Sequence, residues 1–278
     1  MEIVQSIPVL APQRSEEWHK ERLGLVTASM VKAIFLEITQ ATRNAMMRLI
    51  LGVDAINAKV KKMAEFEELD QLDNEVLLVK AQEIDPTFGI PESAERMNYR
   101  KLKVAEIVYG IRVDEDKYVT QAMMWGQASE RYAKAMYQLR TGVMIEEAYL
   151  MKHPTIRCGA SADGKIPNFA KKTTVEMKNL TPQNHIYNVM LDPRKVIEEY
   201  YDQMQMQMWL ENAEQSVFIG ADSRAPEGLK MYVEIIDRDE ERIQEIKQAI
   251  IKFNAEVDRD VKKAFALRDA YLKAQEKR

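Results

Sequence analysis

The chain has 278 residues, 46% of them hydrophobic and 30% charged, with a net charge of −4. A chain of this length buries a sizeable core without a metal or disulfide staple, and the composition is that of an ordinary globular protein. One cysteine, Cys158, and three scattered histidines, His19, His153 and His185, exclude a disulfide framework, a cysteine-rich zinc site and a helical histidine zinc motif. Any metal is expected to be hard and oxygen-bound, such as magnesium or manganese. No run of 18 apolar residues is present, and the first residues lack the basic and apolar regions of a secretory signal, so a cytosolic protein without a membrane span is expected. The small negative charge argues against coating nucleic acid by bulk electrostatics but leaves room for a focused site.

In chain order, Ser15 is placed to cap a short helix through Trp18 to Leu23, ended by Gly24. Thr27 or Ser29 caps a second helix beginning near Ala28. From Arg43 to Val108 the pattern is helical, broken at Gly52 and at Asp85–Pro91. Residues 52–120 hold 15 acidic and 10 basic residues, a net of −5, whereas the remainder holds 29 and 30, a net of +1. The acidity thus belongs to one segment, read as a helical insertion or subdomain.

A helix follows from Gln121 to Leu139 and stops at Thr141-Gly142. The period then changes to two, predicting strands over Val143–Met151, Ile156–Ile166 and Thr173–Asn179, the last two joined by the loop Pro167–Lys172. The stretch Gln203–Trp209 (QMQMQMW) alternates like a strand, but its good helix formers and the length of the surrounding tract place it in a helix over Arg194–Asn212. Strands Ser216–Gly220 and Leu229–Ile236 and a long helix from Asp239 to Lys273 complete the chain. From Val261 the C-terminal part has six bases and two acids. This order predicts an α/β core, a mixed sheet of about five strands with helices on its faces.

The chemistry is concentrated in the hairpin around residues 167–172. If Ile166 and Thr173 close it, paired residues sum to 339, and Asp163 falls opposite Glu176 with Cβ atoms roughly 5 Å apart. Two facing carboxylates repel unless something compensates, and a divalent cation does so with the oxygen ligands it prefers. Strand alternation puts Lys178 on the same face and sends Val175 and Met177 to the other. Two hard ligands beside an ammonium suit water activation and charge stabilisation at a phosphoryl group. Glu176-Met177-Lys178 alone reads equally as a surface ion pair; Asp163, preceded by the small run Gly159–Ala162, favours a site.

On the preceding helix, a 100° step per residue puts Gln127, Arg131, Lys134 and Gln138 on the solvent side. Gly126, Ser129, Glu130, Ala133 and Tyr137 share another side, where Glu130 is the one charge. It reads either as a half-exposed glutamate or as a carboxylate aimed at the metal. Arg22 with Thr27-Ala28-Ser29 has the makings of an anion site, although an ordinary helix cap accounts for it as well. Trp18, Trp125 and Trp209 and the 17 methionines are read as core.

Five phrases in this order, EEWHKERLGLVTAS (Glu16–Ser29), WGQASERYA (Trp125–Ala133), CGASADG (Cys158–Gly164), VEMKN (Val175–Asn179) and YYDQMQMQMW (Tyr200–Trp209), resemble the motifs of the phage lambda exonuclease and viral recombinase family, within the PD-(D/E)xK nucleases. The resemblance covers roughly 16–35 and 121–237. It implies a restriction-endonuclease-like fold over a single domain, 1–278, with residues 52–120 inserted. It implies two-metal hydrolysis of linear double-stranded DNA, processively from the 5′ end, with release of 5′-mononucleotides and 3′ overhangs left for recombination. Magnesium is the implied cofactor, with manganese as substitute. By the resemblance, Asp163, Glu176 and the Met177 carbonyl are metal ligands, Glu130 is the helical active-site glutamate, reaching the metal through water, and Lys178 is the catalytic lysine. Arg22, Thr27, Ser29, Ser161, Gln203 and Gln205 fall near the terminal phosphate. A homotrimeric ring, a single-strand annealing protein as partner, and the cytoplasm of a bacterial host are implied as well. Two positions depart from the pattern: Ala162 stands where a proline is usual, and no arginine follows Lys178 before His185. An endonuclease, a nuclease of opposite polarity and a non-catalytic DNA-binding ring remain alternatives on the same fold.

Overall fold

The computed structural model describes residues 5–36, 38–113, 121–167 and 169–276; the side chains of 121–128, including Trp125 and Gln127, lie outside the described residues. The chain divides into two compact units, Met1–Ile34 with Tyr99–Arg278, and Phe35–Asn98.

In the first unit β1 (Ile7–Val9), α1 (Glu16–Glu21) and β2 (Val26–Thr27) lead into a 3-10 segment, Ala28–Ile34. The second unit contains α2 (Gln40–Leu51), α3 (Ala64–Asp70), α4 (Asn74–Ile84) and the start of α5 (Ala94–Tyr109). Thr39 caps α2, its hydroxyl accepting from the Thr42 N–H, and Gly52 ends it in the left-handed region. Met46, Met47, Phe66, Leu69 and Leu77 form a core of this unit's own. Residues 35–98 carry 12 acids and 7 bases, a net of −5. Tyr99–Val113, the following part of the segment bracketed by sequence at 52–120, belongs to the first unit. There Glu106 accepts the Gly24 N–H at 2.9 Å, and the Tyr99 hydroxyl accepts the Thr27 N–H at 3.1 Å.

The first unit continues with α6 (Gln121–Thr141), β3 (Leu150–Lys152), β4 (Cys158–Ala160), β5 (Gly164–Ile166) and β6 (Thr173–Lys178). A turn, α7 (Pro182–Asn184), runs into a π-helical segment, His185–Leu191. Then come α8 (Pro193–Glu211), β7 (Gln215–Ala221), β8 (Met231–Asp237) and α9 (Glu240–Glu276). Two four-stranded mixed sheets form, β1-β3-β4-β2 and β5-β6-β7-β8, where the sequence predicts one sheet of about five strands. The extra sheet goes with contacts from groups distant in sequence. The expected strand 156–166 breaks at Ser161–Asp163, where Gln13 Nε2 donates to Ser161 Oγ and to the Ala162 carbonyl and Gln207 Nε2 donates to the Ser161 carbonyl. The chain leaves one sheet at Ala160 and enters the other at Gly164. The expected strand 143–151 shrinks to β3 and a single bridge, Glu146 with Lys165.

The hairpin register is the predicted one: Ile166 faces Thr173, Lys165 faces Thr174 and Gly164 faces Val175. β6 pairs in parallel with β7 and is covered on both faces. Val175, Met177, Val217 and Ile219 pack with Ala133 and Tyr137 of α6. Phe218 packs on the other side with Met204 and Met208 of α8. The QMQMQMW tract is helical, and Met204, Met206, Met208 and Trp209 are fully buried. The last two turns of α8, residues 204–211, are buried on every side, so the alternation that imitates a strand carries no surface information.

Gly164 supports the turn into the site. A Cβ there would meet Ile145 Cγ2 at 2.4 Å and the Glu146 carbonyl at 3.0 Å. Gly164→Ala is expected to cost about 1–3 kcal/mol by overpacking, read as a lower urea midpoint with an unchanged slope.

Candidate active site

The strand alternation that sends Val175 and Met177 toward α6 sends Glu176 and Lys178 toward α8. That side is interior, not surface: Glu176 is 1% exposed. Its carboxylate is met from three directions. Oε1 accepts from Gln203 Nε2 at 2.6 Å and pairs with Lys178 Nζ at 2.6 Å; Oε2 accepts from Gln207 Nε2 at 2.7 Å. Tyr200, Gln203 and Gln207 share one face of α8 by their i, i+3, i+7 spacing, and Lys178 Nζ sits 4.0 Å from the centre of the Tyr200 ring.

Asp163 lies one residue beyond the ladder. Its N–H donates to the Val175 carbonyl at 3.0 Å, and its Oδ2 accepts the Met177 N–H at 2.7 Å. Burial, and then the charge of Glu176, push the Asp163 carboxyl well above the usual carboxylate range, against the pull of Lys178 and the Met177 N–H. Burial pulls the Lys178 ammonium down, but the charges of Glu176 and Asp163 outweigh it and its pKa is raised. The two carboxylates thus favour the ammonium form of Lys178.

Glu130 projects from α6 and accepts from Arg14 Nη2 at 2.7 Å, while its helix neighbours Ser129, Ala133 and Tyr137 are buried. Arg22 ends α1 with its guanidinium 4.0 Å from the Trp18 ring centre. The Thr27 amide is spent on Tyr99, the segment after it is a short 3-10 helix, and Thr27 and Ser29 bring their hydroxyls to the cavity wall.

These groups line one cavity of about 780 Å³ in the first unit. Its wall includes Arg22, Thr27, Ser29, Glu130, Ser161, Asp163, Glu176, Met177, Lys178 and Gln203. Gln205 is the exception and a correction. Two residues along a helix from Gln203, it turns away, donating to the Asp237 carbonyl at 3.0 Å and accepting the Asp239 N–H at 2.8 Å, and so braces the entry to α9. Sequence reasoning missed Gln207 and Tyr200, which the helical spacing from Gln203 could have supplied. It also missed Gln13 and Arg14, for which no sequence signal exists. Asn179 lines the cavity too, its side-chain amide atoms buried without a hydrogen-bond partner. Cys158 is buried, its thiol pushed up to about 12, and is no nucleophile.

Among the described residues no group of three or more His, Cys, Asp or Glu side chains converges on a metal position. The oxygens available are two carboxylates, Asp163 and Glu176, and the backbone carbonyl of Met177, the residue after Glu176. Hard oxygens in that number suit magnesium, which keeps several of its waters.

Residues 79–214 match the YqaJ-like viral recombinase domain. The fold also matches the alkaline exonuclease LHK-Exo of Laribacter hongkongensis at a TM-score of 0.65 and 24% identity, over 93% of this chain and 100% of that one. A second structure of that enzyme, in complex with dAMP, matches at 25% identity with the same TM-score and coverage. A phage-related exonuclease from Haemophilus somnus 129PT matches at 15% identity and a TM-score of 0.51, over 80% and 95% of the two chains. No curated protein sequence matches the chain. The viral recombinase domain and the restriction-endonuclease-like α/β fold expected from the motifs are thus both found. Among the described residues no helix is long and apolar enough to cross a membrane.

The pair Asp163–Glu176 generates a pH prediction. A carboxyl whose folded pKa is raised holds its proton in the native state after the unfolded chain has lost it. Its stabilising contribution is full below the unfolded pKa near 3.8 and is lost as pH rises through the folded value. In EDTA, the melting temperature should fall as pH rises above 4. Asp163→Asn should flatten that dependence and melt higher than the parent at neutral pH; a parallel pH curve in the variant contradicts the assignment.

Proposed function

We propose that the protein is a magnesium-dependent exonuclease that degrades one strand of linear double-stranded DNA from its 5′ end and leaves 3′ overhangs for recombination. The observation that supports it is the meeting of Asp163, Glu176 and Lys178 in one cavity with Arg22, in a chain whose residues 79–214 match a viral recombinase domain. The dAMP complex of the Laribacter enzyme, a nucleotide of the kind such a reaction releases, supports the same reading.

Asp163, Glu176 and the Met177 carbonyl would hold the metal, with Glu130 acting through water. When bound, the metal supplies positive charge to the scissile phosphate and makes water acidic enough to attack. The chain's own residues do the rest. Gln203 and Gln207 hold Glu176 in one rotamer, so the ligand is preorganised. Lys178, kept charged by its acidic neighbours and set against Tyr200, faces the charge that develops on the phosphate oxygens. Arg22, with the hydroxyls of Thr27, Ser29 and Ser161, receives the leading phosphate. A homotrimer and a single-strand annealing protein complete the proposal, with the cytoplasm as the place where such ends are processed.

Asp163→Asn, Glu176→Gln and Lys178→Ala should each abolish magnesium-dependent cleavage in a folded protein, and Glu130→Gln should impair it less completely. Linear plasmid should be digested and nicked circles spared. Cutting of the circle signifies an endonuclease, and survival of both a DNA-binding ring.

Arg22→Ala should slow digestion of 5′-phosphorylated ends far more than 5′-hydroxyl ends, by about 1.5–3 kcal/mol for one lost charge-assisted hydrogen bond. Arg22→Lys should restore only part of the rate, because an ammonium makes no bidentate contact. Equal slowing of both ends in single-turnover assays would refute the anchoring role.

A further inference from the structure

The segment after the strand that bears Glu176 and Lys178 is unlike the rest of the surface. Residues 179–191 (NLTPQNHIYNVML) contain no Asp, Glu, Lys or Arg, the longest such run in a chain that is 30% charged. Asn179, Leu180, Thr181 and Asn184 line the active-site cavity beyond Lys178, so the run forms that part of the wall and continues outward from it. Its inner face is anchored. His185 is fully buried, and its Nε2 donates to the Leu229 carbonyl at 2.7 Å. Val189, four residues on, is fully buried over Gly220, where a Cβ would meet Val189 Cγ1 at 2.4 Å. The residues two beyond each anchor face out: Tyr187 is 68% exposed and Leu191 69%. Thr181, Gln183 and Asn184 are exposed as well. A solvated helix face ordinarily carries charged and polar side chains. This one carries an aromatic ring and a leucine, preceded by a hydroxyl and two amides. A phosphate backbone is held chiefly by cations, and this surface has none. An aromatic face that stacks, beside amides that hydrogen-bond, fits an unpaired nucleobase.

We propose that residues 179–191 form a base-holding rim, on which a nucleobase of the strand whose phosphate enters the cavity leaves the duplex and stacks on Tyr187. It rests on the reading of the cavity as a nuclease site. The division of labour is by chemistry: the charged part of the cavity handles phosphate, and the uncharged rim handles the base. Every base has a face that stacks, so such a rim opens a duplex end of any sequence.

The test measures binding of short duplexes to the full chain in EDTA, with no cleavage. Each nucleotide near the end of the 5′-ended strand is made abasic in turn, and the same lesion is then placed opposite, in the 3′-ended strand. Both lesions break one base pair, so a difference between them reports a contact to the base itself. One abasic position should weaken the parent about tenfold, the stacking of one base. Tyr187→Ala should bind the intact duplex about tenfold more weakly and lose nothing further at that position, a contact counted once. Tyr187→Phe keeps the ring and should respond as the parent does. A response on the 3′-ended strand, abolished in the same way by Tyr187→Ala, keeps the rim and overturns the 5′ polarity. Folded Tyr187→Ala with the parent's response at every abasic position overturns the proposal, as does a parent indifferent to all of them. So does a Tyr187→Ala whose one effect is a smaller mass in solution, which assigns the face to a second copy of the chain. A protein that shows the base response but cuts no DNA in magnesium keeps the rim and loses the nuclease reading; one that digests linear DNA without the response keeps the nuclease reading alone.

Discussion

A buried carboxylate is the constraint on which the rest depends. Glu176 sits on a strand covered on both faces, where an uncompensated negative charge would be costly. Three groups make it tolerable: the Lys178 ammonium two residues along the same strand face, and the amides of Gln203 and Gln207 one turn apart on α8. The requirement propagates. α8 must lie with its polar face on β6, so its Met204 and Met208 fall against Phe218, and its Gln205 meets the chain entering α9. Gln207 also takes the Ser161 carbonyl, which ties the first sheet's exit to the same helix.

The same arrangement places function where stability is under tension. Asp163 is brought to Glu176 by a break between two sheets, and the two charges resist each other. A sequence optimised only for folding would replace one of them. Their meeting in a cavity with Lys178, Glu130 and Arg22 fits the cation-assisted phosphoryl site proposed above. Glu130 reaches this cavity from α6, which packs on the opposite face of β6, so the carboxylates arrive from both sides of one strand.

The helical unit 35–98 is separable in composition as well as in packing. It holds its own apolar core and a net charge of −5, a sign that repels a phosphate backbone. Arg22 and Lys178, the cations of the proposed phosphate site, belong to the other unit.

Much of this was legible in the residues alone. Period-two alternation and the turn at 167–172 determined the hairpin register and hence the opposition of Asp163 to Glu176, because side-chain direction in a strand is a local property. Helix-forming residues decided QMQMQMW against its own alternation. What only the tertiary structure decided depends on groups distant in sequence. The split of 156–166 between two sheets follows from Gln13 and Gln207, 148 and 46 residues from Ser161. The partner of Glu130 is Arg14, 116 residues away. The turn of Gln205 away from the site depends on where α9 begins. The burial of both faces of β6 depends on helices on opposite sides of the sheet. Local backbone preference reaches a few residues, whereas a hydrogen bond between side chains is available only after packing has brought its two ends together.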